Sequence, residues 1–369
     1  MTTYTVSAPG KVILHGEHAV VYGKAAVAVS VDLRTTATLS PHESGVVLEL
    51  PDLKWKAEWT HQQLSDLNST TCAEEGTVVP SDILVPHLST LLDLWDRSVS
   101  ERQAATAFLF LYVGIALRHG SGAFPGVRLE VKSQLPIGAG LGSSAAYAVA
   151  LSGALLSHWG LFDDKELISG WAYQAERILH GKPSGIDNSI CTYGGALLFR
   201  SGKIVERNER IPPIYKVVLV DTRVSRNTRS LVQSVRERYE RLPNIIGPVL
   251  EAIDGISERC WELLGEQANL VSRFGEASEL IQMNASLLNA LGVGHPRLDD
   301  ITRLAADHGL AAKLTGAGGG GCALLLLPPG KSSNDIQRCL KEANFLCWEA
   351  SLGCRGVSLD SSTDDRCST

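Results

Sequence analysis

The chain predicts an α+β protein in two domains, and three observations carry that expectation. Its 369 residues exceed the roughly 250–300 at which a single hydrophobic core stops growing. Strand-like and helix-like segments alternate along it without a repeat at a solenoid period. Two glycine-rich stretches, 135–146 and 315–322, each adjoin a strand-like segment. A boundary is expected near Ile211-Pro212-Pro213, dividing 1–215 from 216–369.

In order, Val6 to Leu14 reads as an extended stretch with a turn in it. Lys24 to Val31 reads as strand from the alternation of Val27, Val29 and Val31. Leu39 to Leu50 is expected to add a hairpin partner, and the polar segment from Trp55 to Pro80 carries no assignment. Glu101 to His119 is expected to be a helix covering the sheet. Its apolar run, Thr106 to Leu117, is too short to span a bilayer and suits a buried helix. Val127, Leu129 and Val131 alternate with Arg128, Glu130 and Lys132, the period of a half-buried strand. After the first glycine stretch, Ala145 to Leu151 is small and apolar and reads as a buried helix. Asp163 or Asp164 caps a further helix, ended by Gly181, with the apolar stripe Ile168, Trp171, Ala172, Ala175 and Leu179. Lys182 to Asn188 reads as a loop, and Ile190 to Phe199 as a strand interrupted by Gly194-Gly195.

Beyond the prolines, Lys216 to Asp221 is a strongly apolar strand. Asn227 to Arg241 is charged and helical, and helices continue to about Leu291. Asp299 to His308 is a helix closed by Gly309. Ala323 to Leu327 is a strand stopped by Pro328-Pro329, Asn334 to Ala343 a helix, and Trp348 to Ser351 a last strand.

The stretch Leu135-Pro136-Ile137-Gly138-Ala139-Gly140-Leu141-Gly142-Ser143-Ser144 joins a strand to a helix. The first amides of a helix lack intrahelical acceptors and stand at the positive end of its dipole. Glycines let the backbone curl around an anion there, and Ser143 and Ser144 add hydroxyls, which is how phosphate is commonly held. The P-loop pattern fails because Ser143 follows Gly142, and the dinucleotide fingerprint fails because its third glycine is replaced by Ser143. A tight turn without a ligand is the competing reading of the loop alone.

Composition narrows the partners. Hydrophobic content of 44% and charged content of 20% describe a folded chain. A net charge of −6 gives no support to a nucleic-acid or anionic-membrane partner, so a polyanionic ligand would need locally gathered cations. The start, Met1 to Val6, lacks the basic and apolar runs of a signal peptide. None of the eight cysteines forms a Cys-x-x-Cys pair, so they are expected to be reduced thiols in a soluble, cytoplasmic protein. The end, Arg366 to Thr369, is neither a prenylation box nor a peroxisomal tripeptide, although a peroxisomal fraction stays open. His15-Gly16-Glu17-His18 does not have the helical zinc spacing.

Lys11, Ser144, Glu176 and Asp187 each lie beside a turn. Phosphoryl transfer needs a phosphate cradle, a Mg²⁺ held by hard oxygens, and an acceptor for the attacking hydroxyl's proton. Ser144 and Glu176 suit the metal, Asp187 suits the base, and Lys11 suits the cation that orients it. Each taken singly is also explained by an ordinary solvated side chain or turn residue. The second glycine run, Thr315 to Gly321, is either a flexible connection or a backbone packed closely on another backbone or a ligand.

In combination these stretches resemble a known family. Pro9-Gly10-Lys11-Val12-Ile13-Leu14-His15-Gly16-Glu17-His18-Ala19-Val20-Val21-Tyr22-Gly23 is similar to the first motif of the small-molecule kinases acting on galactose, homoserine, mevalonate and phosphomevalonate (GHMP kinases). Pro136 to Ala146 resembles their second motif, and Lys313 to Cys322 their third, in the family's order. The mevalonate branch is the nearest, by Gly181-Lys182-Pro183-Ser184-Gly185-Ile186-Asp187-Asn188, Ser225-Arg226-Asn227-Thr228-Arg229 and Leu288-Asn289-Ala290-Leu291-Gly292-Val293-Gly294-His295. A galactose-specific member would be expected to carry an Asp soon after the Glu-His of the first motif, and an Arg at Lys11.

The resemblance implies an N-terminal, ATP-binding domain like domain 2 of ribosomal protein S5, then a ferredoxin-like domain, with ATP between them. It implies transfer of the γ-phosphate of ATP to the 5-hydroxyl of mevalonate, giving 5-phosphomevalonate early in isoprenoid and sterol synthesis. The family's general base falls on Asp187 with Lys11 beside it, and its Mg²⁺ ligands on Ser144 and Glu176. Nucleotide phosphates fall on Lys11, Gly138, Ala139, Gly140, Leu141, Gly142, Ser143 and Ser144, with a further ATP contact on Ser133. Glu17, His18 and Thr228 fall where the family lines the substrate pocket. Asp52 stands where animal members offer an Asn to the nucleotide. A homodimer and feedback inhibition by prenyl diphosphates are further implications. Another kinase of the family, acting on galactose or phosphomevalonate, is the alternative. A non-catalytic ligand sensor on the same fold is the other, disfavoured because Lys11, Ser144, Glu176 and Asp187 are all present.

Overall fold

The computed structural model describes residues 2–65, 78–91, 98–120, 123–181, 183–209, 216–225, 227–265 and 270–360. The expected boundary at 211–213 and part of the unassigned polar segment therefore lie outside the described residues. Strands β1 (Tyr4–His15), β2 (Ala26–Pro41), β3 (Val46–Leu50), β4 (Trp55–Trp59), β5 (Val127–Ser133), β6 (Ala196–Arg200) and β7 (Lys203–Asn208) build the first sheet. Strands β8 (Lys216–Asp221), β9 (Ala311–Thr315), β10 (Cys322–Leu327) and β11 (Leu346–Ser351) build the second. A last short strand, β12 (Ser358–Leu359), returns to the first sheet beside β1.

The sixteen residues of β2 organise the first sheet. β2 pairs along its length with β1, from Tyr4↔Leu39 to His15↔Val27. Its other edge is divided: Ala26–Val29 pair with β6 and Thr35–Pro41 with β5. β3 does not close the expected hairpin on β2, because β5 lies between them, antiparallel to β2 and parallel to β3. β3 turns instead onto β4, with Val46 opposite Trp59.

The helices are α1 (His61–Ser65), α2 (Ser81–Leu84), α3 (Val99–His119), α4 (Ser143–His158), α5 (Lys165–His180), α6 (Ile186–Tyr193), α7 (Thr228–Arg241), α8 (Pro243–Gly265), α9 (Leu270–Ala290), α10 (Pro296–Asp307) and α11 (Asn334–Glu342). A capping box between Ser98 and Glu101 starts α3. α4 lies against β1 and β2 and is buried on nearly every side from Ala145 to Ser157. Its small residues allow that approach: a Cβ on Gly153 would come within 2.9 Å of Val6 Cγ1. Asp164 caps α5 by accepting from the Leu167 amide at 2.8 Å, and Gly181 ends it.

The second sheet has the order β11-β8-β10-β9, all antiparallel. That is the ferredoxin-like order, with α7–α10 between β8 and β9 and α11 between β10 and β11. Its central strands read as continuous apolar runs because both faces are covered. Val217, Leu219, Leu324 and Leu326 join the main core, while Val218, Val220, Leu325 and Leu327 join a second core with Val235, Ile253 and Ile301. Arg34 fastens the returning tail, donating to Arg355 O at 2.9 Å and Gly356 O at 2.7 Å.

Candidate active site

β1 carries β2 on one edge, and on its other edge it receives two loops. The Lys11 amide donates to Leu141 O at 2.9 Å, docking the first glycine loop. Two residues on, the Ile13 amide donates to the Thr315 hydroxyl at 3.0 Å, and that hydroxyl donates to Ile13 O at 3.0 Å. The three glycine-containing motifs thus meet on one strand edge.

In the first loop Gly138, Gly140 and Gly142 all have positive φ, between 76° and 83°. Ile137 is exposed, and nothing lies within 4 Å of where a Cβ of Gly138 would sit. Gly142 is the N-cap of α4 and has no side chain with which to bond the helix start. A helix start without a side-chain cap leaves its first amides and the positive dipole end available to an anion. Gly142 cannot be larger for a second reason: its Cβ would stand 2.8 Å from Lys11 Cγ.

Lys11 passes beneath that loop, and its ammonium reaches Asp187 Oδ1 at 3.1 Å. The lysine side chain is 9% exposed and the aspartate 35%, so the carboxylate has one side in contact with its partner and another accessible. The segment around Asp187 differs from the sequence expectation. Ile186–Tyr193 is helix α6, with Gly185 as its left-handed N-cap, so Asp187 sits in a first helical turn, not in a loop. The strand begins only at Ala196, beyond Gly194-Gly195.

Glu176 approaches from α5 and is buried. Burial, reinforced by the charge of Asp187, pushes its carboxyl up to about 7, against the smaller pull of the Ser144 hydroxyl and the Lys11 charge. Its Oε1 is enclosed and has no hydrogen-bond partner among the described residues. An orphaned carboxylate oxygen beside a serine hydroxyl is a hard-oxygen donor set of the kind Mg²⁺ takes, and the residues fit that ion. The Ser144 hydroxyl shares a 2.9 Å hydrogen bond with His180 Nε2, which lies 3.8 Å from Glu176 Oε1. The only signal of His180 in the sequence is its place one turn after Glu176 on α5.

Ser133 ends β5 with its hydroxyl 2.8 Å from Thr35 Oγ1, and its amide donates to Asp52 Oδ2 at 2.7 Å. Asp52 is thereby held at the end of β5, on the turn Pro51–Leu53. Glu17 is fully enclosed and paired with Lys313, while His18, at φ 60°, has its Nε2 2.8 Å from Ala317 O. Burial lowers the pKa of His18. Thr228 opens α7 and, with Ser225, Asn227 and Arg229, lines an open surface depression. Lys182 and Arg226, in two of the motif words, lie outside the described residues.

The chain is similar to known proteins along most of its length. The family model for the GHMP kinases N terminal domain matches residues 93–195, and that for GHMP kinases C terminal matches residues 253–345. The chain is 44% identical to mevalonate kinase of Homo sapiens, over 97% of this chain and 95% of the relative. It is 33% identical to mevalonate kinase of Arabidopsis thaliana, over 95% of this chain and 98% of the relative. Among solved structures, the fold is similar to that of the Methanococcus jannaschii mevalonate kinase, with a TM-score of 0.74 at 23% identity, covering 95% of this chain and 98% of that one. The L. major mevalonate kinase in complex with R-mevalonate has a TM-score of 0.70 at 24% identity, covering 95% and 96%.

Proposed function

The chain belongs to the GHMP kinase family, and we propose that it transfers the γ-phosphoryl group of ATP to the 5-hydroxyl of mevalonate. The observation that carries the reading is the Lys11–Asp187 pair at 3.1 Å beneath an uncapped, glycine-lined helix start. That arrangement puts a proton acceptor beside a phosphate cradle. The names of the relatives, human and plant alike, support mevalonate over galactose or phosphomevalonate as the acceptor.

In this reading the Asp187 carboxylate takes the proton of the 5-hydroxyl as that oxygen bonds to the γ-phosphorus. The bond from the γ-phosphorus to the bridging oxygen breaks, and ADP leaves with the electron pair. Lys11 holds Asp187 in place from its position under Gly142. Residues Gly138 to Ser144 present amides and hydroxyls to the phosphates, with Ser133 a further nucleotide contact at the end of β5. Glu176 and Ser144 would hold Mg²⁺, which when bound neutralises phosphate charge. Glu17, His18 and Thr228 are assigned to the acceptor side, His18 and Thr228 at its wall and Glu17 from beneath.

The reading extends to a division into an N-terminal unit, 1–215, and a C-terminal unit, 216–369, with β12 handed back to the first sheet. It includes a cytoplasmic homodimer and inhibition by prenyl diphosphates competing with ATP. No helix among the described residues is long and apolar enough to cross a membrane. The test is ADP release with mevalonate, galactose, homoserine and phosphomevalonate offered in parallel. Turnover with mevalonate is expected; turnover with another alcohol in its absence overturns the reading.

A further inference from the structure

Lys313 has no role among the groups above, and its partner Glu17 is placed there only beneath the acceptor side. Lys313, on β9, and Glu17, after β1, form an ion pair with both side chains fully enclosed. Lys313 also donates to Leu314 O at 2.7 Å. The second carboxylate oxygen of Glu17 accepts from Asn284 Nδ2 at 3.1 Å, and the same amide group lies 3.1 Å from His15 Nδ1. Burial opposes the charged form on both sides, raising the Glu17 carboxyl and lowering the Lys313 ammonium. A pair of this kind is often no more stable than a well-packed apolar pair of the same volume. Stability alone therefore does not account for it, whereas fixed register does.

Lys313 stands two residues before Thr315, whose hydroxyl clasps Ile13. The chain then enters the second glycine run, which rests backbone on backbone against the link between α9 and α10 and against the segment before α7. The Gly319 amide donates to Val293 O at 2.8 Å, and the Gly321 amide to Val224 O at 3.2 Å. Gly321 O accepts from both the amide and the hydroxyl of Thr222, at 2.9 and 2.8 Å. Val224 is followed directly by Ser225, the first residue lining the depression beside Thr228. Backbone and hydrogen bonds together therefore connect the buried pair to that lining.

We propose that Lys313, paired with Glu17 and backed by Asn284, is a positioning residue for the acceptor pocket. It sets the second glycine run on the edge of β1 and, through that run, holds the segment leading to Ser225, Asn227 and Thr228. The assignment of the pocket to the acceptor rests on the function proposed above, while the mechanical link does not.

The experiment uses the full chain and the double variant Glu17→Gln/Lys313→Met, which removes both charges and leaves no lone buried ion. Two quantities are measured: amide hydrogen exchange from Thr222 to Ser225 without substrates, and KM for mevalonate and ATP. Exchange there is expected to be about tenfold faster, with α4 unchanged. KM for mevalonate is expected to rise about tenfold or more, with KM for ATP unchanged. A folded double variant with wild-type exchange at Thr222–Ser225, or with a wild-type KM for mevalonate, overturns the proposal. If the double variant does not fold, Thr315→Val, which removes only the hydroxyl on Ile13, is judged by the same criteria. If the wild-type protein does not turn over mevalonate, the functional reading falls and exchange alone decides this inference.

Discussion

Lys11 and Asp187 face each other at 3.1 Å, although one comes from a strand and the other from the first turn of a helix. Lys11 is doubly placed: its amide is tied to Leu141 O and its methylenes fill the space that Gly142 leaves open. The first glycine loop and the Asp187 carboxylate are therefore registered on a single residue.

Asp187→Asn is expected to lower kcat by about 10²–10⁴, the usual worth of a general base, with ATP affinity retained. Turnover of mevalonate and equilibrium nucleotide binding, measured on the same preparation, check this. Near-normal turnover would remove Asp187 as the base.

Lys11→Met keeps the methylenes under the loop and removes the ammonium. Turnover is expected to fall about tenfold or more through misorientation of Asp187, while the melting temperature changes little. A large loss of melting temperature with a proportionate loss of activity would make the role of Lys11 structural.

Glu176 predicts a pH effect in the metal-free protein. Its folded carboxyl, at about 7, lies above the ordinary value of 4.5. Between those values the folded state holds more protons than the unfolded chain, so metal-free stability falls as pH rises through that window. Added Mg²⁺ is expected to stabilise more at about pH 7.5 than at about pH 5, since it needs the ionised carboxylate. Thermal melts with and without Mg²⁺ measure both slopes. Glu176→Gln should flatten the metal-free slope, and both it and Ser144→Ala should raise the Mg²⁺ concentration needed for turnover. An unchanged slope and Mg²⁺ titration would refute the assignment.

Gly142→Ala adds a methyl at φ +76°, and that methyl meets Lys11 Cγ at 2.8 Å. Gly202→Ala has a similar φ, +80°, with nothing within 4 Å. Both are expected to lose about 1 kcal/mol or more from the left-handed backbone. Only Gly142→Ala is expected to lose activity as well. Denaturation curves and kinetics on the two variants distinguish conformational strain from displacement of Lys11, and equal activity in both would refute the contact's importance.

Local signals were read well where the physics is local. The cap at Asp164 and the stop at Gly181 follow from which side chains satisfy helix ends, and α5 forms between them. The glycine loop between an alternating strand and a small-residue helix was legible for the same reason. The segment Ile186–Tyr193 was not. Ile186, Ile190 and Thr192 are β-branched and suit a strand as readily as a helix, and packing against α4 and α5 decided for the helix. The insertion of β5 between β2 and β3 was equally invisible, since strand neighbours far apart in sequence leave no local trace.

By itself, then, the sequence determined the chemistry available: a lysine, two carboxylates, serines at a helix start, and two glycine runs in a recognisable order. Residue type and short-range spacing are written in the chain directly. Only the tertiary structure decided that Lys11 stands 3.1 Å from Asp187, that a buried oxygen of Glu176 has no hydrogen-bond partner among the described residues, and that Glu17 is enclosed against Lys313. Distances across the fold and the desolvation of a charge depend on what packs around it, and neither exists until the two sheets are closed by their helices.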